Sequence, residues 1–433
     1  MRFFFKVIIL FLIVFNFRVP YLYNSAFVAI GLCWFYYMRT RRKVPFTFFF
    51  QRYNVAILIG TVAITVVVAL ITLLHGTDMI NMQKRYWVLI MMLWSTIFAL
   101  PLFFEGKESS ALEEISIIIC CAFALQGVIS LVAYMYSPLG EFLIKMKPED
   151  IVRAEMDSTL DNRFRYTNLS GILLVELTSG FGIAFIVFFW MQLKYNHPLM
   201  RGWKGYVIFC FIFLGTIFSG RTGFFGFLFG LALWLYFSFG QSLKILERNI
   251  GYIVGAASIV LFIFYFVLNS KQRESFNDEV FPFAFEWYYN YRDYGRFEIG
   301  SMEATSGHYF YLTDETLLMG HGLPAFGSFS PYPHSDAGYI NDLVFGGIPF
   351  LIFISICQCL YFARPISITL EDKSRKSRID RMFFLLLFVY VFFVEIKAGA
   401  ISYMHILEVM YLALGSAYVC SYYLGKKKAS LNK

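Results

Sequence analysis

The sequence predicts an all-α protein that crosses a membrane many times. Hydrophobic residues make up 58% of its 433 residues, aromatic residues 20% and charged residues only 15%, and 52 residues are phenylalanine. Apolar runs near the roughly 20 residues that cross a bilayer as a helix follow one another along the chain. This apolar content exceeds what the core of a soluble protein requires. One integral membrane domain, residues 1–433, is therefore expected.

The apolar runs divide into about twelve predicted spans. These are residues 3–17, 21–38, 55–74, 86–104, 112–136, 168–192, 205–218, 222–240, 250–268, 338–362, 382–396 and 401–423. The first run resembles a signal peptide, but it lacks a small-x-small cleavage site and ends in Phe-Arg-Val-Pro. It is therefore predicted to be retained as a span.

The distribution of basic residues predicts the orientation. The formal net charge is +8, and the basic residues concentrate in the short segments 39–43 and 364–381 and in the terminal GKKK. With both chain termini in the cytoplasm, these segments are cytoplasmic, as the positive-inside rule requires. The charge thus indicates orientation in a cytoplasmic membrane, and it gives no reason to expect nucleic acid as a partner.

Two connections are long, and this topology puts both on the outer face. They cover residues 137–167 and 269–337, and each mixes basic residues with carboxylates. The second is rich in aromatic residues, as in FEWYYNYRDYGRF. Long connections of this kind are more often functional than idle. Aromatic faces hold sugar rings, but they also form the belt at a membrane interface, and the sequence leaves both interpretations open.

The stretch FSGRTGFFGFLFG places Arg221 inside a long apolar run. The run from Gly205 to Gly240 is too long for a single span, so two spans are predicted to meet at Ser219–Gly223. Glycine permits the tight reversal, and Arg221 then lies at the outer membrane surface. Its guanidinium can bind a lipid phosphate or pyrophosphate with two parallel hydrogen bonds. The alternative is that Arg221 only extends to ordinary head groups.

Further arginines share the predicted outer face. Arg163 and Arg165 precede the sixth span, and Arg296 follows a glycine in the second long connection. These positions could converge with Arg221 on one anion. The alternative is that each pairs with a nearby carboxylate, such as Asp161 or Glu298, for a modest stabilisation.

A polar triplet, His334-Ser335-Asp336, stands just before the tenth span. His334 and Asp336 are candidates for a general base that takes a proton from a hydroxyl group. The alternative for Asp336 is a helix N-cap. Ser335 lacks the Gly-x-Ser-x-Gly context of a hydrolase nucleophile.

Several ionisable residues fall within or beside spans. They are Glu176, Glu395, Lys397, His405 and Glu408. His405 and Glu408 are three apart and share a helix face. Such groups suit a water-filled outer pocket or the proton relay of a transporter, whereas Glu395 and Lys397 could form an interfacial ion pair.

Neither a disulfide framework nor a metal site is predicted. All seven cysteines fall in apolar segments without metal-like spacing, and no outer segment contains Asp-x-Asp. A divalent ion at a pyrophosphate therefore has no evident ligands, and no cofactor is expected.

Four stretches together resemble the superfamily of Wzy-type O-antigen polymerases and O-antigen ligases. FSGRTGFFGFLFG is similar to the family's Ser-Arg-Thr-Gly hairpin, and RFRYTNLSG to its Arg-then-Asn entry into a span. GRFEIGSM followed by MGHGLPAFG is similar to its loop arginine with a following Gly-x-Gly. SDAGYINDLVFGGI resembles its polar boundary motif. The order and membrane side of these stretches, over roughly residues 160–350, strengthen the resemblance.

The resemblance implies an inverting, metal-independent glycosyltransferase with a GT-C-like architecture, acting on the periplasmic face of a bacterial inner membrane. Its donor would be a glycan on undecaprenyl pyrophosphate, and its acceptor a second lipid-linked repeat unit, with a chain-length regulator as a candidate partner. Arg221 and Arg296 would hold the pyrophosphate, supported by Arg163 or Arg165. Aligned on Tyr339, Asp336 stands where the ligase branch has histidine, which favours a polymerase.

Two other functions remain open at this point. An O-antigen ligase would share the fold and the donor. A polysaccharide flippase or ion-coupled transporter would instead use the charged residues of the spans, such as Glu176, His405 and Glu408.

Overall fold

A computed structural model gives the arrangement of the spans. It describes residues 2–19, 24–40, 50–77, 79–105, 110–147, 168–171, 173–195, 197–200, 202–238, 265–295, 309–325, 332–399 and 405–431, together with 255, 258 and 307. Within these ranges the regular structure is helical, and no strand occurs. Backbone groups inside a bilayer have no water to bind, and a helix satisfies them within one segment.

Eleven long helices coincide with the predicted spans other than 250–268, most of which lies outside the described residues. They are α1 Arg2–Phe15, α2 Ser25–Arg39, α3 Arg52–His75, α4 Met79–Phe103, α5 Ala111–Met135, α7 Leu174–Lys194, α8 Gly202–Ser219, α9 Gly223–Ser238, α14 Gly338–Glu371, α15 Arg375–Glu395 and α16 His405–Leu431. The long connections contribute short helices: α6 Ser137–Lys145, α10 Ser270–Ser275, α11 Phe281–Ala284, α12 Glu286–Tyr294 and α13 Asp314–Met319, with a π-helical turn at Phe276–Val280.

Seven of the described helices are long and apolar enough to cross a membrane. They contain the segments Arg52–His75, Gln83–Phe103, Ala111–Met135, Leu174–Lys194, Gly202–Ser219, Gly338–Glu371 and His405–Tyr423. The outward face of α3 is apolar as well, because Ile59, Val66, Leu70 and Leu73 are all more than half exposed. Such a face is suited to lipid and not to water. The chain is therefore a polytopic membrane protein whose described residues form an all-helical structure.

Helix α7 is the centre of the bundle. Almost every side chain from Leu174 to Met191 is buried, which is expected for a helix that is apolar all round. It packs against α5, α8, α9, α15 and α16. A Cβ atom on Gly226 of α9 would overlap the carbonyl oxygen of Gly182. Glycine at this crossing therefore lets α7 and α9 approach closely.

The described parts of both long connections lie at one end of the bundle, which we call the loop end. There the amide of Arg18 donates to the carbonyl of Met146 (2.9 Å), and Gln272 Nε2 donates to the carbonyl of Met135 (2.7 Å). The opposite end carries the buried pair of Lys194 with Asp380, whose Nζ and Oδ1 are 2.6 Å apart. The end of α7 and the first turns of α15 thus lie at the end of the bundle opposite the loop end.

The helices α14 and α15 extend beyond the predicted spans. The segment 364–381 was predicted to be a basic connection, but only Asp372–Ser374 separates the two helices. Ser374 caps α15 by accepting a hydrogen bond from the amide of Ser377 (3.2 Å). Hydropathy marks where an apolar surface ends, and a helix can continue past that point into water.

A break in α14 anchors the second long connection. Gly347 has φ 70°, which interrupts the helix and releases carbonyl groups of the preceding turn. The amide of His321 donates to the carbonyl of Val344 (2.7 Å), and the amide of Gly322 donates to that of Phe345 (2.8 Å). The Gly-His-Gly stretch 320–322 thereby replaces the lost helical hydrogen bonds, which is a structural role for that motif.

Candidate functional site

The turn that carries Arg221 is held from both sides by one threonine. Helix α8 ends at Ser219 and α9 begins at Gly223, so the predicted reversal is confirmed. Thr178 of α7 donates through Oγ1 to the carbonyl of Gly220 (2.6 Å) and accepts from the amide of Gly223 (3.1 Å). The backbone on each side of Arg221 is thus tied to the central helix.

The side chain of Arg221 contacts the second long connection. Its guanidinium forms an ion pair with Glu286, and its Cζ atom lies 4.7 Å from the ring centre of Phe283. The side chains of Arg221 and Glu286 remain 20% and 29% exposed. One partner of Arg221 is therefore a carboxylate that is distant in sequence, and a phosphate that binds here must share the guanidinium with it or displace it.

An apolar cluster brings Glu286 to this position. Residues 276–284 pack on the ends of α5 and α8, with Phe276, Val280 and Ala284 buried beside Phe218. Tyr134 at the end of α5 donates to the carbonyl of Gln272 (3.1 Å). These contacts fix the start of α12, whose first residue is Glu286.

The other arginines predicted to bind the anion lie outside the described residues. Arg296 falls within residues 296–306, and Arg163 and Arg165 within residues 148–167, which are not among the described residues. Their convergence with Arg221 stays a prediction.

His334 and Asp336 form an exposed pair at the loop end. His334 Nε2 lies 3.1 Å from Asp336 Oδ1, and the two side chains are 63% and 64% exposed. Asp336 is not the cap of α14, because the N-cap residue is Ala337, which makes no side-chain cap. The N-cap alternative for Asp336 is therefore wrong. Ser335, between the two, is buried and accepts from the amide of Ala337 through Oγ (3.2 Å).

Tyr339 and Glu395 link the start of α14 to the end of α15. Tyr339 donates to the carbonyl of Phe392 (3.0 Å). Glu395 is fully buried, and its Oε1 occupies the space that a Cβ atom on Gly338 would need. Tyr309 donates to the carbonyl of Ile396 (2.6 Å). Burial raises the pKa of Tyr309, and the charge of Glu395 raises it further.

One helix end separates the two halves of the candidate site. Phe225, one turn beyond Arg221, has its ring centre 4.7 Å from that of Phe393. The neighbouring residue, Phe392, accepts the hydrogen bond from Tyr339. The Arg221 turn and the His334–Asp336 segment therefore flank the last turns of α15 at the same end of the bundle.

The charged residues predicted inside the spans are buried. Glu176 lies in the first turn of α7, and His405 in the first turn of α16. Glu408 accepts a hydrogen bond from Gln358 Nε2 of α14 (2.8 Å). These three do not share the exposed surface of His334 and Asp336. In the part of the chain that is described, no group of three His, Cys, Asp or Glu side chains could hold a metal ion.

Sequence reasoning missed the groups that set the environment of Arg221. Glu286 and Phe283 lie in an aromatic stretch without periodicity, and nothing local marks Glu286 as the partner of a residue in a distant hairpin. In the sequence, nothing distinguishes Thr178 from the other small residues of an apolar helix. Only the tertiary arrangement identifies these contacts.

No known family model matches this chain. No curated protein is detectably similar to it in sequence.

Proposed function

We propose that this protein is a polysaccharide polymerase of the O-antigen type. It would transfer a growing glycan from undecaprenyl pyrophosphate to the next lipid-linked repeat unit, at the outer face of a bacterial cytoplasmic membrane. The observation that carries the proposal is Arg221: a partly exposed guanidinium on an anchored turn, already paired with an anion. The sequence resemblance supplies the identity of the proposed substrate.

The proposed role of Arg221 follows from the chemistry of the leaving group. When the bond from the anomeric carbon to the pyrophosphate oxygen breaks, negative charge accumulates on the phosphate. A guanidinium offers two parallel N–H donors to phosphate oxygens. Donors held where charge develops lower the barrier, because they need no reorganisation during the step. The tie from Thr178 to the turn supplies that rigidity. Arg296, with Arg163 or Arg165, is proposed to complete the anion site.

Glu286 is proposed to occupy the position of the substrate anion until the donor binds. A partly exposed ion pair contributes only about 0–1 kcal/mol, so a doubly charged diphosphate can displace the carboxylate. Phe283 lies against the guanidinium and can keep its plane in position during the exchange. In the absence of substrate, Glu286 therefore occupies the anion site, and a diphosphate can still replace it.

The acceptor hydroxyl needs a base. Its oxygen attacks the anomeric carbon on the face opposite the pyrophosphate, its proton moves to the base, and undecaprenyl pyrophosphate departs, which inverts the anomeric centre. Asp336 is the proposed base and His334 its neighbour, because both are exposed and 3.1 Å apart. A ligase of the same fold is the nearest alternative: deleting a ligase gene would leave surface lipid without repeat units, and deleting a polymerase gene would leave one.

A transporter is the second candidate, and the burial of Glu408 beside Gln358 favours it. Ionisable groups inside a membrane bundle often serve ion pathways. A transporter would move glycan lipid between leaflets and would leave the length of the glycan unchanged. The two functions therefore differ in product, and one assay separates them.

The test is chain extension by the purified protein alone. A synthetic repeat unit on undecaprenyl pyrophosphate is incubated with the protein in detergent, and the products are separated by size. We expect products lengthened by whole repeat units, with or without EDTA. A single repeat unit that stays unextended by protein whose helical content and monodispersity are intact would refute the polymerase.

A further inference from the structure

The buried pair of Glu408 and Gln358 lies deep in the bundle, away from the candidate site. Glu408 is 3% exposed and Gln358 1% exposed. By the helical rise, Gln358 is about 16 Å along α14 from the break at Gly347 and about 20 Å from its end at Glu371. Glu408 faces it from the first turn of α16, so the carboxyl group lies opposite the middle of α14.

Only one oxygen of Glu408 has a hydrogen-bond partner among the described residues. Oε1 accepts from Gln358 Nε2 at 2.8 Å, whereas Oε2 is buried and accepts from none. Within the same described part of the chain, no lysine or arginine forms an ion pair with Glu408. An ionised carboxylate in this position would be a buried charge balanced by one amide, which costs several kcal/mol or more.

Among the described residues, the groups that interact with Glu408 bring no compensating charge. They are Cys357 and Tyr361 of α14 and Tyr411 of α16. Thiol and phenol groups are ordinarily neutral at pH 7. Arg85 of α4 interacts electrostatically with His405, which lies one turn before Glu408.

We infer that Glu408 is a proton-binding site, occupied as the neutral carboxylic acid and closed by Gln358. The acid and the amide are complementary. The amide Nε2 donates to the carboxyl Oε1, and the carboxyl O–H can donate to Gln358 Oε1, which is also buried. Loss of the proton removes the second bond and leaves a charge between α14 and α16, so proton occupancy is coupled to the contact of these two helices.

This inference does not depend on the polymerase proposal. It needs only the geometry of the pair, and it applies equally to a transferase or a transporter. In a transferase, the proton couples to the position of α14, whose first turns carry Tyr339 and follow Asp336. In a transporter, the same proton is a candidate coupling ion.

Infrared difference spectroscopy of the purified protein tests the inference. We expect a C=O stretching band from protonated carboxyl groups at pH 7, and a weaker band in Glu408→Gln. The matched control is Glu371→Gln on the same α14 helix, because Glu371 is exposed and should be ionised; this change should leave the band intact. Absence of the band from the unaltered protein, or a band of undiminished intensity in Glu408→Gln, would overturn the inference.

Thermal unfolding provides a second measurement that guards against misfolded variants. Glu408→Gln should unfold at the same temperature as the unaltered protein, because an amide reproduces the shape and the two hydrogen bonds of the neutral acid. Glu408→Ala should unfold at a lower temperature, since it leaves a cavity and an unsatisfied amide. If Glu408→Gln and Glu408→Ala lower the unfolding temperature equally, Glu408 does not form a neutral acid–amide pair with Gln358.

Discussion

Arg221 and Glu286 form an ion pair across the loop end of the bundle, joining the turn between α8 and α9 to the first residue of α12. The pair links a segment tied to the central helix with one that belongs to the second long connection. The Glu286 carboxylate can have either of two roles: it orients the guanidinium, or it occupies the position of a substrate anion. The effect of Glu286→Gln on donor binding separates these roles.

Glu286→Gln should strengthen donor binding. Removing the carboxylate charge releases the Arg221 guanidinium from this ion pair while keeping the shape of the Glu286 side chain. Because the pair is partly exposed and contributes about 0–1 kcal/mol, the apparent KM for the lipid-linked donor should fall by up to roughly fivefold. Steady-state extension at varied donor concentration measures this. A KM that rises would mean that Glu286 positions Arg221 and does not compete with the donor.

Thr178→Val should loosen the turn that holds Arg221. It removes the hydroxyl that donates to Gly220 and accepts from Gly223. Leaving buried backbone groups unpaired costs about 1–3 kcal/mol, so the midpoint of thermal unfolding and the extension rate should both fall. Thr178→Ser should restore both. The matched control is Thr216→Val, since the Thr216 hydroxyl donates to the carbonyl of Ile212 in its own helix. Equal stability of Thr178→Val and Thr178→Ser would count against this role.

Gly226→Ala should disrupt the crossing of α7 and α9. The added methyl group would overlap the backbone of Gly182, and overpacking of this kind costs about 1–3 kcal/mol. Detergent-resistant folding and abundance in the membrane should both decrease. Gly31→Ala is the control, because a methyl group there meets nothing within 4 Å. If the two variants behave alike, Gly226 is not required for the close approach of α7 and α9.

Asp336→Asn should slow chain extension by about 10²–10⁴-fold, the range typical of losing a general base. The amide keeps the shape but cannot take a proton at neutral pH. His334→Ala should have a smaller effect if histidine only neighbours the base. Single-turnover extension with saturating donor measures both. A larger loss in His334→Ala than in Asp336→Asn would transfer the role of base to His334.

Much of the architecture could be predicted from the sequence, because membrane spans are long apolar runs. The reversal at Ser219–Gly223 followed from the length of its run and from its glycines, and the helix bounds agree with it. The ends of α14 and α15 could not be predicted in the same way. Helical hydrogen bonding continues past the apolar boundary, so hydropathy predicts neither the end of α14 nor the start of α15.

The candidate site was less accessible to sequence reasoning. Arg221 stood out because a guanidinium in an apolar run demands an explanation. Its partner Glu286 did not, because only the folded chain brings them together. Asp336 was a plausible N-cap by residue type, yet α14 is capped at Ala337. The stretch 320–322 contributed only to the family resemblance, and the structure shows that the amides of His321 and Gly322 bond to the broken turn of α14.

Binding of undecaprenyl pyrophosphate to the purified protein tests the central claim most directly. Arg221→Ala removes charge-assisted hydrogen bonds of about 1.5–3 kcal/mol, so the Kd should rise roughly 10- to 100-fold. Arg221→Lys should recover only part of that loss, because an ammonium lacks the planar fork. Arg292→Ala is the matched control, an exposed arginine of α12 that pairs with Asp293, and it should leave the Kd unchanged. Equal affinity in Arg221→Ala and the unaltered protein would contradict the role of Arg221 as the pyrophosphate ligand.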